Sequence, residues 1–142
     1  MSENRIQTQN LIRQALTTRE TAYAPYSHYQ VGAALLTASG EIYTGVNIEN
    51  ASFGATNCAE RTAFFKAVSE GKLSFLEIAI VGGIAGEEPK DYAYPCGICR
   101  QVMQEFCGGD FRIVVARSET DYKVYTLNEL LPDGFGREQC EK

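Results

Sequence analysis

The chain reads as an α/β domain built on a five-stranded mixed sheet with helices on both faces. Three observations carry that reading. Segments of helical and strand periodicity follow one another in the order α-β-β-α-β-α-β-β. The first two strands are joined by a short turn at Gly40, which makes them an antiparallel hairpin. The later strand–helix–strand stretches favour parallel neighbours joined by right-handed crossovers.

Each element has a local cause. From Arg5 to Tyr23 the residues Leu11, Ile12, Ala15 and Leu16 gather on one side at helical spacing, and Pro25 is expected to stop that helix. Tyr29–Leu36 (YQVGAALL) is a strand. Ala38-Ser39-Gly40-Glu41 turns it into a second, EIYTGV. The stretch from Asn47 to Asn57 is polar and contains glycine, so it is a loop, and a long loop in a small domain is often functional. Ala59–Val68 is a helix with Gly71 as its stop. Phe75–Val81 (FLEIAIV) is a buried strand, and a loop follows it through Pro89 and Pro95. Gly97–Phe106 is a helix closed by Gly108-Gly109, Phe111–Ala116 a strand and Lys123–Thr126 a short fifth strand. The connection Arg117–Tyr122 is too short for a crossover, so the last pair is antiparallel.

At 142 residues, 44% apolar and 22% charged, the composition is that of one globular domain. Residues 1–136 form that domain, and 137–142 read as a charged, frayed tail. A chain of this length buries about 68–70% of its unfolded surface and needs no disulfide staples. The formal charge of −5 argues against nucleic acid as a partner, because phosphate binders cluster Lys and Arg. The polar first twenty residues do not resemble a signal peptide and no apolar run spans a bilayer, so a cytoplasmic location without membrane association is the expectation. There the five cysteines, Cys58, Cys96, Cys99, Cys107 and Cys140, stay reduced, and their odd number fits a disulfide framework poorly.

Three of those cysteines stand at helix starts: Cys58 before Ala59-Glu60-Arg61, and Cys96 and Cys99 in Pro95-Cys96-Gly97-Ile98-Cys99. Residues three apart in a first helical turn lie about 60° apart and share a face. Pro95 suits a helix entrance, where its missing N–H costs nothing. The positive pole of the helix favours thiolates there. Three protein ligands are the number a catalytic zinc uses, with the fourth corner left to water. Of the spare candidates, Cys107 lies about three turns down its helix, Cys140 sits in the tail, and His28 reads as an ordinary loop residue. Glu60 follows Cys58 by two, so it reaches the same site only if Cys58 caps the helix and Glu60 begins it. A carboxylate there can take a proton from water and deliver it to a substrate atom. Zinc with three thiolates carries a net charge of −1 and is a weak Lewis acid, so Arg61 donating to the sulfurs is expected to draw charge away.

Cys58-Ala59-Glu60 followed by Pro95-Cys96-x-x-Cys99 resembles the zinc nucleoside and nucleobase deaminases. With Asn47-Ile48-Glu49-Asn50-Ala51-Ser52, Arg61-Thr62-Ala63 and Arg100-Gln101, it is similar to the small, all-cysteine-ligated, homotetrameric cytidine deaminases of the cytidine/deoxycytidylate deaminase superfamily. So are Ala24-Pro25-Tyr26-Ser27, Val31-Gly32-Ala33-Ala34 and Leu130-Leu131-Pro132, and the likeness runs from about Tyr23 to Phe135.

That resemblance implies a three-layer cytidine deaminase-like fold, one Zn²⁺ per subunit, and hydrolysis of cytidine and deoxycytidine to uridine and deoxyuridine with release of ammonia, a step of pyrimidine salvage. It implies Cys58, Cys96 and Cys99 as metal ligands and Glu60 as proton shuttle to N3 and the leaving amino group. The Ala59 N–H and the Tyr94 carbonyl would hold the base edge, and Asn47 and Glu49 the ribose 3′-hydroxyl. It further implies a homotetramer in which Ala51 and Phe53 come from one partner and Phe135 from another, with Tyr29 stacking inside its own subunit. Tyr29 stands where Phe is common, Phe53 where Tyr is common and Ile98 where Ala is frequent.

Plainer readings exist. Cys96-x-x-Cys99 alone would suit a redox dithiol, but such a site needs neither a third thiol nor an adjacent Glu. Asn47 and Glu49 can serve simply as turn formers, Glu60 as a solvated charge at a helix start, and Tyr23, Tyr26 and Tyr29 as packing aromatics. Phe135 can simply dock the tail, and Cys107 is a small hydrophobe. The alternatives in function are a deaminase of a related aminopyrimidine such as blasticidin S, a free base or cytosine in RNA, and a non-catalytic module with structural zinc.

Overall fold

Strand alternation sorts the interior of the molecule into two halves. The computed structural model describes residues 3–140. Its strands are β1 (Tyr29–Thr37), β2 (Ile42–Val46), β3 (Phe75–Ile84), β4 (Arg112–Ala116) and β5 (Tyr122–Thr126), and its helices are α1 (Glu3–Thr18), α2 (Ala59–Ser69), α3 (Gly97–Phe106), α4 (Leu127–Leu130) and α5 (Arg137–Cys140). The sheet runs β2-β1-β3-β4-β5. Only β3–β4 is parallel; the β1–β2, β1–β3 and β4–β5 pairs are antiparallel. Ala33, Leu35, Ile78, Ile80 and Ile113 face α2 and α3. Their neighbours Ala34, Leu36, Ala79, Val81, Val114 and Ala116 face α1. Successive strand residues point to opposite faces, so a sheet buried on both sides reads as unbroken apolar runs.

The centre of the first half is Phe64 of α2, fully buried. It meets Phe75 edge-on at 5.0 Å and Phe111 at 6.0 Å between ring centroids. Truncating such a side chain to alanine costs about 3–5 kcal/mol. On the α1 side the buried Glu77 stands among apolar groups. Glu77 is wholly enclosed and accepts from Gln7 Nε2 at 2.9 Å and Thr8 Oγ1 at 2.6 Å, with Arg112 Nη2 at 3.6 Å. A carboxylate so placed is tolerated because it is paired and hydrogen-bonded.

Gly45 decides how α2 meets the sheet. A Cβ there would lie 2.4 Å from the Ala59 carbonyl oxygen and 2.5 Å from the Ala63 nitrogen, so only glycine lets the first turn of α2 rest directly on β2. At the β1–β2 turn Gly40 has φ +99°, a conformation other residues rarely adopt.

The structure corrects several boundaries. The first helix ends at Thr18 and tightens into a 3₁₀ turn over Arg19–Thr21, well before Pro25. There the buried Arg19 donates to the carbonyls of Gln30 and Ile84, and Tyr23 pairs with Ile48, so the chain is tied to the sheet before proline is reached. The third strand continues through Gly82-Gly83 to Ile84 because β1 pairs with it that far. β2 and β3 are not neighbours, since β1 lies between them. Residues 137–140 of the tail form a helical turn, introduced by the Gly136 N–H donating to Gln139 Oε1 at 2.6 Å; residues 141–142 lie outside the described residues.

Candidate active site

Cysteine stands at the N-cap of both α2 and α3. Cys58 (φ −82°, ψ 157°) and Cys96 (φ −69°, ψ 167°) are extended, and neither side chain caps its helix, which leaves the sulfurs free for another partner. Cys99 follows one turn into α3 and is buried. The sulfurs of Cys58 and Cys96 are 3.7 Å apart and those of Cys96 and Cys99 3.5 Å, with all three within 4.8 Å of one another. Zn–S bonds of about 2.3 Å in a tetrahedron place sulfurs about 3.8 Å apart, so the spacing suits zinc. Among the described residues this trio is the group able to hold a metal ion, and Cys107, Cys140 and His28 are not in it.

Arg61, one turn into α2, donates Nη2 to the Cys58 sulfur at 3.3 Å. Its Nε is buried without a partner. A guanidinium so placed faces negative charge on the sulfurs, as a loaded thiolate site requires. The Cys99 thiol beside it, with Arg61, holds the Cys58 thiol well below the ordinary range against the opposing effect of burial. The same pairing with Cys58, together with burial, pushes Cys99 upward.

Glu60 is only 4% exposed. Burial pushes its carboxyl up to about 7, with its own backbone N–H opposing and the Cys58 charge adding. The N-cap geometry of Cys58 allows this: Cys58 turns outward before the helix begins, and Glu60 enters the same space from its first turn. Thr62 fixes the entrance by bonding the carbonyls of Val46 at 3.0 Å and Cys58 at 3.2 Å.

A cavity of about 310 Å³ opens beside the sulfurs and brings together Tyr29, Asn47, Cys58, Ala59, Glu60, Tyr94 and Cys96. That is near the lower bound of small-molecule pockets, about 300–1,000 Å³. A larger groove of about 560 Å³ beside α1, walled by Ile6, Asn10, Leu36 and Leu76, contains no cysteine or histidine. Chemistry, not size, selects the smaller one.

Other expected site residues are distributed differently. Asn47 spends part of its amide on the strand beside it, accepting from Val31 N and donating to the Tyr29 carbonyl, both at 2.9 Å, and so keeps one N–H and one lone pair. Glu49 does not share the cavity. It accepts from the backbone of Tyr26 and Ser27 and from the Ser27 hydroxyl, which holds its carboxyl below the usual range, and it lines a neighbouring pocket of about 460 Å³ with Phe53. Thr56 borders both pockets. Phe53 is 83% exposed and Phe135 59%, and neither reaches the cavity of its own chain; Ala51 and Ile98 are exposed as well.

Sequence reasoning missed Arg100, whose Nε and Nη1 donate to the carbonyls of Pro95 and Leu130, both at 2.8 Å, pinning the Cys96 entrance to the C-terminal end of α4. Its place directly after Cys99 was the available signal.

Fold and site together define a metal-binding α/β protein whose cation is gripped by sulfurs at two helix entrances. Residues 5–116 match the family model described as "Cytidine and deoxycytidylate deaminase zinc-binding region". The chain belongs to that family, and its cofactor is zinc. It is 49% identical over 130 residues to a cytidine deaminase of Halalkalibacterium halodurans, covering 92% of this chain and 95% of the relative. A probable cytidine deaminase of Dictyostelium discoideum is 42% identical over 135 residues, covering 95% and 88%. The crystal structure of a cytidine deaminase from Burkholderia pseudomallei superposes with a TM-score of 0.81 at 43% identity, covering 95% of this chain and all of that one. Among the described residues no helix is long and apolar enough to cross a membrane.

Proposed function

We propose that this protein hydrolyses cytidine and deoxycytidine to uridine and deoxyuridine, releasing ammonia, as a cytoplasmic step of pyrimidine salvage. The observation that carries the reading is Glu60, a buried carboxyl that shares one small cavity with Cys58 and Cys96 of the sulfur trio. Zinc held by Cys58, Cys96 and Cys99 supplies, when bound, a Lewis-acidic corner at which water becomes nucleophilic near neutral pH.

The chain's own groups do the rest. Glu60 takes one proton from water at its carboxylate and gives it to N3 of the pyrimidine, where the product keeps it. It then takes the second, from the hydroxyl added at C4, and gives it to the departing amino group, so that the C4=O bond forms as the C4–N bond breaks and ammonia leaves. A carboxyl raised toward neutrality is suited to both directions of transfer. Arg61 draws negative charge from Cys58. The Ala59 N–H, free because it lies in the first turn of α2, donates to the base, and the Tyr94 carbonyl accepts from it. Asn47 turns its remaining N–H and lone pair to a ribose hydroxyl, with Glu49 completing that contact from the adjoining pocket, and Tyr29 lies against the ring. The exposed Phe53 and Phe135, with Ala51, support a homotetramer in which partner subunits close each cavity.

The test is direct. Zinc-loaded protein incubated with cytidine loses the ultraviolet absorbance of the aminopyrimidine, and sedimentation gives a tetramer. Absence of turnover on both cytidine and deoxycytidine overturns the reading of function, and an active monomer overturns the shared site.

A further inference from the structure

The wall of the cavity that carries Tyr94 belongs to no helix or strand. Between the end of β3 and the start of α3 the chain has no regular secondary structure. Its ends are tied by the Ala85 N–H donating to the His28 carbonyl and by Arg100 donating to the Pro95 carbonyl, and Ala93 packs on the core. Between those ties its longer-range hydrogen bonds and ring contacts come from the β4–β5 hairpin. The Tyr92 ring meets two cations of the β4–β5 hairpin, with the Arg117 guanidinium carbon and Lys123 Nζ each 4.7 Å from its centroid. Its hydroxyl donates to Asp121 Oδ1, and Arg117 Nε in turn donates to Asp121 Oδ2 at 2.8 Å. Arg117 Nη1 also reaches the Lys90 carbonyl at 3.3 Å. Two residues on, the Tyr94 ring meets Tyr125 edge-on at 5.8 Å between centroids, their hydroxyls 3.3 Å apart.

We propose that the β4–β5 hairpin is a clamp that sets the position of the Tyr94 wall of the pocket, with Tyr92 as the positioning residue through which it acts. Tyr92 itself does not line the cavity. It acts on the substrate only through the backbone it holds, two peptide units from Tyr94. A clamp of this kind contributes to binding in the ground and transition states alike, so its loss is expected in KM and not in kcat.

The proposal rests on the deaminase reading for its kinetic test, and amide exchange provides a test that does not. In Tyr92→Leu, which removes ring and hydroxyl together, KM for cytidine rises about tenfold with kcat within about twofold. Zinc content stays at one per chain, and hydrogen exchange speeds up selectively over residues 88–95. Tyr92→Phe, which keeps the ring against its cations, restores most of the wild-type KM. Lys123→Met, at an exposed strand position, gives a smaller rise in KM of the same kind and serves if Tyr92→Leu fails to fold. Unchanged KM and exchange in Tyr92→Leu, or in Lys123→Met where it stands in, overturn the clamp; so does a Tyr92→Leu that lowers kcat and zinc content together. If wild-type protein does not deaminate cytidine, the functional reading falls, and faster exchange over 88–95 still decides for the clamp, unchanged exchange against it.

Discussion

Replacing Gly45 with alanine should damage the chemistry from outside the cavity. The new Cβ would stand 2.4 Å from the Ala59 carbonyl oxygen and 2.5 Å from the Ala63 nitrogen, where ordinary contact begins near 3.4 Å. Both obstacles are backbone, so no side chain can swing aside and the first turn of α2 must retreat. The gap is about 1 Å, a displacement that at a reacting centre costs about a hundredfold in rate. Cys58 and Glu60 ride on that turn. Overpacking of this kind also destabilises by about 1–3 kcal/mol. A chain of this length shifts its midpoint by about 3 °C per kcal/mol, so Tm should fall by about 3–10 °C. Calorimetry and the ultraviolet assay measure the two effects. Gly40→Ala is the control: its φ of +99° makes alanine strained, but nothing lies within 4 Å of the added atom. It should cost about 1–2 kcal/mol of stability and leave kcat/KM unchanged. A Gly45→Ala protein with wild-type Tm and turnover would refute the reasoning, as would equal losses of activity in the two variants.

Glu60→Gln should keep its zinc by metal analysis while kcat falls at least about a hundredfold, the usual contribution of a positioned acid–base group; undiminished turnover removes Glu60 from the chemistry. The zinc-free protein, kept reduced, should show the cost of that buried carboxyl. With a folded pKa of about 7 against the ordinary glutamate value of 4.5, the native state binds more protons than the unfolded state between those values, so stability falls as pH rises through that window and levels off above it. Denaturant titration should then find apo Glu60→Gln more stable than apo wild type by about 3 kcal/mol at pH 8, with the advantage gone below pH 4.5; equal stability at pH 8 contradicts it. Arg61→Ala should retain zinc in part but lose most activity, because the Cys58 sulfur loses its donor; wild-type turnover in that variant would exclude the charge-withdrawing role.

What sequence could disclose tracks how local each cause is. The second cysteine helix was legible in full, residue for residue, because Pro95 and Cys96 mark its start and an apolar face runs to Phe106. The metal trio was legible because ligand chemistry and spacing constrain each other. The α4 turn was missed although Thr126 and Glu129 form a reciprocal capping box, since four residues leave no periodicity to detect. Gly82-Gly83 suggested a strand end, yet β1 recruits them through long-range pairing. Asn47 and Glu49 sit two apart and look like a matched pair. Their separation into two pockets depends on the Tyr26–Ser27 turn capturing Glu49, which no local pattern records.

The closeness of the thiols also bears on handling the protein. Cys58 and Cys96 hold their sulfurs 3.7 Å apart, and a bridged pair needs about 2.05 Å. Stripped of its ion in air, the centre is a dithiol poised to oxidise, so the cation doubles as a protecting group. Chelation during purification without a reductant would lock the ligands to each other, and adding zinc back would not revive the preparation until that bond was reduced.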